Sequence, residues 1–155
     1  MPYLSPMNIV RTDSTNADFI VLVKQLDDFL AVLDGEEHAF YNQLNKTDTL
    51  HHVVLAYDDE KPVACGASRK FSDGIVEVKR MYTLPAHRGR GIATKILAEL
   101  EKWARQLSYK TCVLETGWSQ PDAIHMYIKH GYRRIPNYGK YAGVGNSICF
   151  EKIFS

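Results

Sequence analysis

Two glycines and two arginines stand together over residues 88–91 (RGRG), directly before an apolar pattern of helical spacing. A helix that begins near Gly91 has N-terminal backbone N–H groups without intrahelical partners, and its dipole adds partial positive charge there. Gly89 and Gly91 carry no side chain that would keep a ligand away from these amides, and they allow positive φ angles. Arg88 and Arg90 add positive charge at the rim. The combination is typical of a polyphosphate site, most simply a pyrophosphate held by consecutive amides.

The same stretch also fits an ordinary strand-to-helix turn, in which glycine serves the backbone geometry and arginine serves solubility. Two nucleotide-binding patterns are disfavoured by the spacing. The Walker pattern needs a Gly-Lys-Ser/Thr ending, and the dinucleotide fingerprint needs a third glycine and a downstream acidic residue in a βαβ unit. The stretch alone therefore indicates an anion site without identifying its ligand.

The N-terminal part of the chain predicts a strand followed by two helical segments. Residues 7–11 have a strand pattern after a leader at 1–6. Thr15 and Asp18 form a capping box that opens a helical stripe, and Asp34-Gly35 ends it. The shorter amphipathic segment that follows carries Phe40, Tyr41 and Leu44.

Strand patterns dominate from His52 onward. Two strands are joined by a hairpin turn at 58–61, and a third, "IVEVKRMYT", ends at Leu84-Pro85. The run "TCVLET" is almost wholly apolar, as expected when both faces of a strand are covered, and "NSICFEKIF" is a closing strand. Because a helix connects the third strand to "TCVLET", we expect a parallel, right-handed crossover from Val76 to Glu115.

Two more helices are predicted beyond residue 91. Glu101 and Arg105 are expected on the outer face of the first, at a favourable four-residue spacing. Ser119 and Asp122 are expected to cap the second, which Gly131 ends. The buried face of the first helix is predicted to carry Ile92, Ile96, Leu100, Trp103 and Leu107.

Two motifs carry a resemblance to a known family. Arg88-x-x-Gly91-x-Ala93, after a strand ending in "RMYTLP", resembles the acetyl-CoA signature of GNAT-type N-acetyltransferases, Gln/Arg-x-x-Gly-x-Gly/Ala. The stretch "LETGWSQPDAIHMYIKHGYRRI" is similar to that family's next strand and helix, where Ala-x-x-x-Tyr and a terminal Gly-aromatic recur. The order of elements over residues 7–154 is also similar. The resemblance implies an α+β GNAT fold in a single domain over 1–155: a central mixed, mostly antiparallel twisted sheet with helices on both faces and a splayed pair of parallel strands.

The resemblance also implies acetyl-CoA as co-substrate. Backbone groups of residues 81–83 would pair with its pantetheine arm, amides of 88–93 and the Thr94 hydroxyl would hold its pyrophosphate, and the last helix would line the other side of the slot. The implied cofactor-binding residues are Met81, Tyr82, Thr83, Arg88, Gly89, Arg90, Gly91, Ile92, Ala93, Thr94, Ala123 and Ile124.

Glu77 and Tyr127 stand where members of the family carry catalytic groups. Glu77 would accept the amine proton through water, Tyr127 would protonate the departing thiolate, and Glu115 is a lesser candidate for the base. A backbone N–H of Met81 or Tyr82 would serve the thioester oxygen. The alternatives are a core aromatic at Tyr127 and, at Glu77, a strand-face charge paired with Lys79, Arg80 or Arg69.

The function that follows is N-acetyl transfer from acetyl-CoA to a small-molecule amine by direct attack. Two alternatives remain open: a catalytically silent acyl-CoA-binding or regulatory module, and a protein or peptide N-acetyltransferase. The first helical region borders the acceptor site in the family, and its acidic residues favour a cationic or amino-acid-like acceptor, although a solvated helix face has the same composition. These residues are Asp28, Asp34, Glu36 and Glu37.

Composition limits the remaining classes. The formal net charge of +1 gives no general attraction to nucleic acid or to a membrane surface, and no stretch approaches the ~20 apolar residues of a membrane span. The three cysteines lie far apart in apolar runs and are expected to be reduced core thiols of a cytoplasmic protein. No metal site is expected, since neither the cysteines nor the six histidines have ligand spacing. The closing strand could offer the edge of a homodimer.

Overall fold

A computed structural model of the chain describes residues 7–34 and 50–155, which leaves the predicted leader and the segment with Phe40, Tyr41 and Leu44 outside the described residues. Three α-helices are described: α1 (Ala17–Asp34), α2 (Ile92–Gln106) and α3 (Pro121–Lys129). The strands are β1 (Met7–Thr12), β2 (His52–Asp58), β3 (Lys61–Ser72), β4 (Ile75–Thr83), β5 (Thr111–Gly117), β6 (Arg133–Ile135) and β7 (Ser147–Ile153).

These strands form one sheet in the order β1-β2-β3-β4-β5-β7-β6. Every neighbouring pair is antiparallel except β4 and β5, which run parallel. Helix α2 connects the two parallel strands, as the sequence predicts. The predicted fold class, a mixed and mostly antiparallel sheet with helices, is confirmed.

The helices cover both faces of the sheet because successive strand residues point to opposite sides. On β2, Val53 and Leu55 belong to the apolar cluster under α1, together with Phe19, Leu22 and Leu26 of that helix. The intervening residues of the strand belong to the second cluster. That cluster contains Val54, Ala56, Val76, Val78, Leu114 and Phe150 with Ile96 and Leu100 of α2 and Tyr127 of α3.

Both predicted capping boxes are wrong. Asn16 caps α1, since its Oδ1 accepts the backbone N–H groups of Asp18 at 2.8 Å and Phe19 at 3.2 Å. Asp18 therefore stands at the second helical position, one residue short of the position a capping box requires, and the Thr15 hydroxyl donates to Asp13 instead. Helix α3 begins after Gln120 without a side-chain cap.

Glu101 was predicted on the outer face of α2, but it is only 8% exposed. The Tyr132 hydroxyl donates to its Oε2 at 2.8 Å, and Lys152 Nζ donates to its Oε1 at 2.8 Å. These partners come from the end of the chain, so the four-residue spacing to Arg105 could not reveal them. Leu107, predicted to be buried, is exposed because α2 ends at Gln106.

Strand β6 was not predicted, and it changes the position of the closing strand. Its three residues pair with β7 from Arg133 opposite Glu151 to Ile135 opposite Cys149. Strand β7 therefore has β5 on one side and β6 on the other. Over Cys149–Glu151 the closing strand therefore has no free edge, because this short and largely polar strand covers it; the homodimer itself stays a prediction.

Candidate active site

The parallel strands β4 and β5 stay paired over only half of their length. Their register runs from Ile75 opposite Thr111 to Val78 opposite Leu114 and stops there. Strand β4 continues along β3, while β5 continues along β7. The backbone edge of β4 over residues 79–83 is therefore turned towards the space where the two strands part, and the predicted splay is confirmed.

A bulge in β4 lies at the start of this splay. The register between β3 and β4 shifts between Cys65 and Ala67, and Arg80 has a φ of +60°. A bulge turns the following backbone groups to a new direction, and a positive φ at a non-glycine residue costs about 1–3 kcal/mol. A partly buried ion pair holds the bulge, since Arg80 Nη1 contacts Asp27 Oδ1 of α1 at 2.8 Å.

The glycine loop leads from the end of β4 into α2. Gly89 has a φ of +80°, and Gly91, which precedes the first residue of the helix, has a φ of +75°. A Cβ atom added to either glycine would meet nothing within 4 Å. Both predicted properties are thus present: the backbone is left-handed, and the space over the N-terminal amides of α2 is open to a ligand.

The two arginines of the loop are exposed, and each also contacts neighbouring groups. Arg88 Nε donates to the carbonyl oxygen of Thr83 at 3.0 Å, and its guanidinium lies 5.1 Å from the ring centre of Phe29 and 5.8 Å from that of Tyr82. Arg90 Nη1 lies 3.8 Å from Asp58 Oδ2. Arg88 therefore connects the loop to α1.

Thr94, predicted to help bind the anion, shares a hydrogen bond with the end of α3. Its Oγ1 lies 3.1 Å from His130 Nε2. Sequence reasoning placed no histidine in the site and so missed His130 at this place. The sequence marks His130 only by its position beside Gly131, which ends α3 and has a φ of +91°.

Glu77 lies on the face of β4 opposite to its buried valine neighbours and is 3% exposed. Arg69 Nε donates to its Oε1 at 3.1 Å, and the Tyr138 hydroxyl donates to its Oε2 at 2.6 Å. The pairing with Arg69 is one of the alternatives that the sequence leaves open. Burial, and then the charge of Glu77, raises the pKa of Tyr138, so this phenol stays protonated.

Tyr138 and Tyr141 are the part of this cluster that sequence reasoning missed. They belong to the connection between β6 and β7, and their rings meet edge to face at 5.7 Å. Lys79 Nζ donates to the Tyr141 hydroxyl at 3.5 Å. Nearby, the Ser147 hydroxyl donates to Glu115 at 2.6 Å. No local motif marks these tyrosines, because their partners are about sixty residues away in the chain.

Tyr127 of α3 is buried in the cluster under α2 and α3, where its ring lies 5.8 Å from that of Tyr132 and 6.2 Å from that of Phe150. Burial raises the pKa of Tyr127, which keeps the phenol protonated. Ala123 and Ile124 pack partly buried against the same cluster. Since Val76 and Val78 belong to this cluster and Glu77 alternates with them, Tyr127 and Glu77 lie on opposite faces of the sheet.

Two general properties complete the description. Over residues 7–34 and 50–155, no three His, Cys, Asp or Glu side chains are grouped as a metal ion would require. None of the helices in those ranges is both long and apolar enough to cross a bilayer.

The sequence was compared with protein families and curated proteins. The profile of the acetyltransferase (GNAT) family matches residues 20–132. An IAA acetyltransferase from Azospirillum brasilense is 30% identical over 151 residues, which cover 94% of this chain and 97% of that protein. An aminoalkylphosphonate N-acetyltransferase from Salmonella typhimurium is 29% identical over 128 residues, which cover 79% of each chain.

Solved structures show the same architecture. A candidate acyl-CoA N-acyltransferase from Klebsiella pneumoniae superposes with a TM-score of 0.81 at 31% identity, covering 96% of this chain and 98% of that one. The PaiA N-acetyltransferase from Thermoplasma acidophilum, solved in complex with coenzyme A, superposes with a TM-score of 0.70 at 15% identity, covering 96% of this chain and 99% of that one.

Proposed function

Because the chain belongs to the acetyltransferase (GNAT) family, we propose that it transfers an acetyl group from acetyl-CoA to the amine of a small molecule by direct attack. The observation that carries the proposal is the position of the splay. Parallel pairing stops at Val78 and Leu114, and β4 then runs on to the open glycine loop at the N-terminus of α2. The aminoalkylphosphonate N-acetyltransferase among the relatives supports a small amine as acceptor.

The residues of the splay and the loop fit acetyl-CoA, which supplies the acetyl group. The φ angles of Gly89 and Gly91 and the open space above them suit a phosphate that approaches the backbone closely. The amides of residues 88–94 and the Thr94 hydroxyl would hold the pyrophosphate. The backbone of 81–83 would hold the pantetheine arm, and Ala123 and Ile124 would line its other side.

Two side chains on opposite faces of the splay would move protons. Glu77 would accept the proton of the attacking amine through a water molecule, and Tyr127 would give a proton to the sulfur that leaves. Their placement on different faces would let each serve a different group, because the amine adds to one face of the planar carbonyl and the sulfur then leaves the tetrahedral carbon in another direction. A backbone N–H of Met81 or Tyr82, just beyond the bulge at Arg80, would donate to the carbonyl oxygen; such donors contribute about 100- to 1000-fold in rate.

The proposed setting is the cytoplasm. Cys65, Cys112 and Cys149 are all free and buried, as is usual in a reducing compartment. Their burial agrees with the sequence-based expectation of core thiols.

The experiment that tests the function measures release of the CoA thiol with a panel of amines, amino acids and peptides. We expect release with one class of small amine above the rate of spontaneous hydrolysis, together with the acetylated product by mass spectrometry. A protein that binds acetyl-CoA in a calorimeter yet releases no thiol with any amine would instead be a silent acyl-CoA-binding module. Release with peptides alone would point to a protein acceptor.

A further inference from the structure

Lys79 is a buried cation that the proposed chemistry does not use. It stands two residues after Glu77 on β4, so both side chains point to the same face of the sheet. It is 7% exposed, and its Nζ donates to the Tyr141 hydroxyl over a long distance of 3.5 Å. None of the ion pairs formed between described residues includes Lys79.

The charged groups around Lys79 have other contacts. Glu77 accepts hydrogen bonds from Arg69 and Tyr138, Arg80 pairs with Asp27, and Glu115 accepts the hydroxyl of a serine. Burial lowers the pKa of Lys79; Arg69 and Arg80 lower it further, while the carboxylates of Glu77 and Glu115 act in the opposite direction. An ammonium group has three N–H donors, and burying it without matching acceptors is costly. Among the described residues, only the Tyr141 hydroxyl accepts a hydrogen bond from Lys79 Nζ, so further N–H donors of the ammonium group are available to a ligand.

We propose that Lys79 binds an anionic oxygen group of the acceptor, so that the acceptor is an amine that also carries a carboxylate or a phosphonate. This inference rests on the proposed function, because it assigns the acceptor of the same site. Alternate residues of a strand are about 6.6 Å apart. An acceptor whose amine is served by Glu77 and whose oxyanion contacts Lys79 therefore has one to three carbons between the two groups, as in short amino acids and aminophosphonates.

The pyrophosphate of the co-substrate is not the anion in question. Its proposed site is the amides of residues 88–94, beyond the end of β4, whereas Lys79 stands directly after Val78, the last residue of β4 that pairs with β5. The acetyl group carries no charge. The oxyanion must therefore belong to the acceptor.

The test compares matched acceptors by CoA release: glycine against glycinamide, β-alanine against its amide, and aminomethylphosphonate against its diethyl ester. We expect kcat/KM of the wild-type protein to be at least tenfold higher for each acid than for its uncharged partner. Lys79→Met should raise KM for the acids about 10- to 100-fold, the loss expected for a hydrogen bond to a charged group, and leave the amides unchanged. Lys70→Met is the matched control, since the Lys70 side chain is 62% exposed and pairs with Asp73 in the turn after β3.

The outcomes separate this inference from the proposed function. Equal rates for acids and amides in the wild type, or an acid preference that persists in Lys79→Met, would overturn the inference while acetyl transfer stands. If no amine releases CoA, the proposed acetyl transfer is wrong. The anion site at Lys79 is then tested by the melting temperature: acetate and methylphosphonate should raise it in the CoA-bound wild type and not in Lys79→Met, and an equal effect on both proteins would overturn the inference. Exchange of a buried ion for an apolar residue usually preserves folding, and the comparison of acids with amides on the wild type needs no variant.

Discussion

Arg69 lies directly opposite Glu77 in the β3–β4 ladder, and its Nε donates to Oε1 of Glu77 at 3.1 Å. The Tyr138 hydroxyl occupies the other oxygen at 2.6 Å. Together these two contacts fix the orientation of the Glu77 carboxyl group. A carboxylate held in this way can receive a proton through water only if one of its remaining lone pairs faces the splay, and mutants can separate this role from a purely structural ion pair.

The first prediction concerns Glu77. Glu77→Gln keeps the shape of the side chain and removes the base, so we expect kcat at high pH and saturating acetyl-CoA to fall about 100- to 10,000-fold. The calorimetric affinity for CoA should stay within twofold. Glu99→Gln is the matched control. Glu99 also pairs with an arginine, since Arg11 Nε lies 3.1 Å from its Oε1, but this pair is not part of the splay. If both variants turn over like the wild type, Glu77 is a structural partner of Arg69.

The second prediction concerns Tyr127. Tyr127→Phe keeps the ring that packs against Tyr132 and Phe150 and deletes only the hydroxyl. We expect a fall in kcat of about 100-fold or more with little change in stability. Tyr132→Phe is the control: it removes a hydrogen bond to buried Glu101, should lower the free energy of unfolding by about 1–3 kcal/mol, and should spare kcat. If Tyr127→Phe instead lowers stability and leaves kcat unchanged, Tyr127 has only a packing role in the core.

The third prediction concerns the glycine loop. A Cβ at Gly91 would enter the open space above the amides of α2, so Gly91→Ala should weaken CoA binding about tenfold or more in a calorimeter. Gly74→Ala provides the control, since the φ of Gly74 is +74° and that of Gly91 is +75°. Both variants should lose about 1–2 kcal/mol of stability from the left-handed backbone. Equal CoA affinities in the two folded variants would place the phosphates elsewhere.

The fourth prediction concerns alkaline pH. Burial raises the pKa of the Cys65 thiol from 9.0 to about 12. Between pH 9 and pH 12 the thiol is deprotonated in the unfolded chain and protonated in the folded chain. The free energy of unfolding therefore falls as the pH rises through this range, by up to about 1.4 kcal/mol per pH unit. Urea denaturation between pH 8 and 10.5 should show that the free energy of unfolding falls less steeply with pH in Cys65→Ala than in the wild type. Parallel declines would contradict the burial of an un-ionised thiol.

Local patterns predicted the glycine loop, the parallel crossover and the apolar faces, because each depends on residues close in the chain. The contacts of Glu77 with Tyr138 and of Glu101 with Lys152 join residues that are far apart in sequence, and no spacing rule encodes them. The start of α1 was wrong by one residue because Asn16 and Thr15 are both good caps, and only the backbone geometry decides between them. Strand β6 is too short to show a period.

Helix α1 touches both halves of the candidate site. Its Asp27 holds Arg80 at the bulge of β4, and two residues later its Phe29 lies under Arg88 of the glycine loop. A phosphate that draws Arg88 towards the loop amides would release one of these two contacts between α1 and the candidate site and leave the other in place. Binding of acetyl-CoA would then change the position of α1, the helix that we expect to border the acceptor site. The expected kinetic consequence is a compulsory order of addition, in which acetyl-CoA binds before the acceptor.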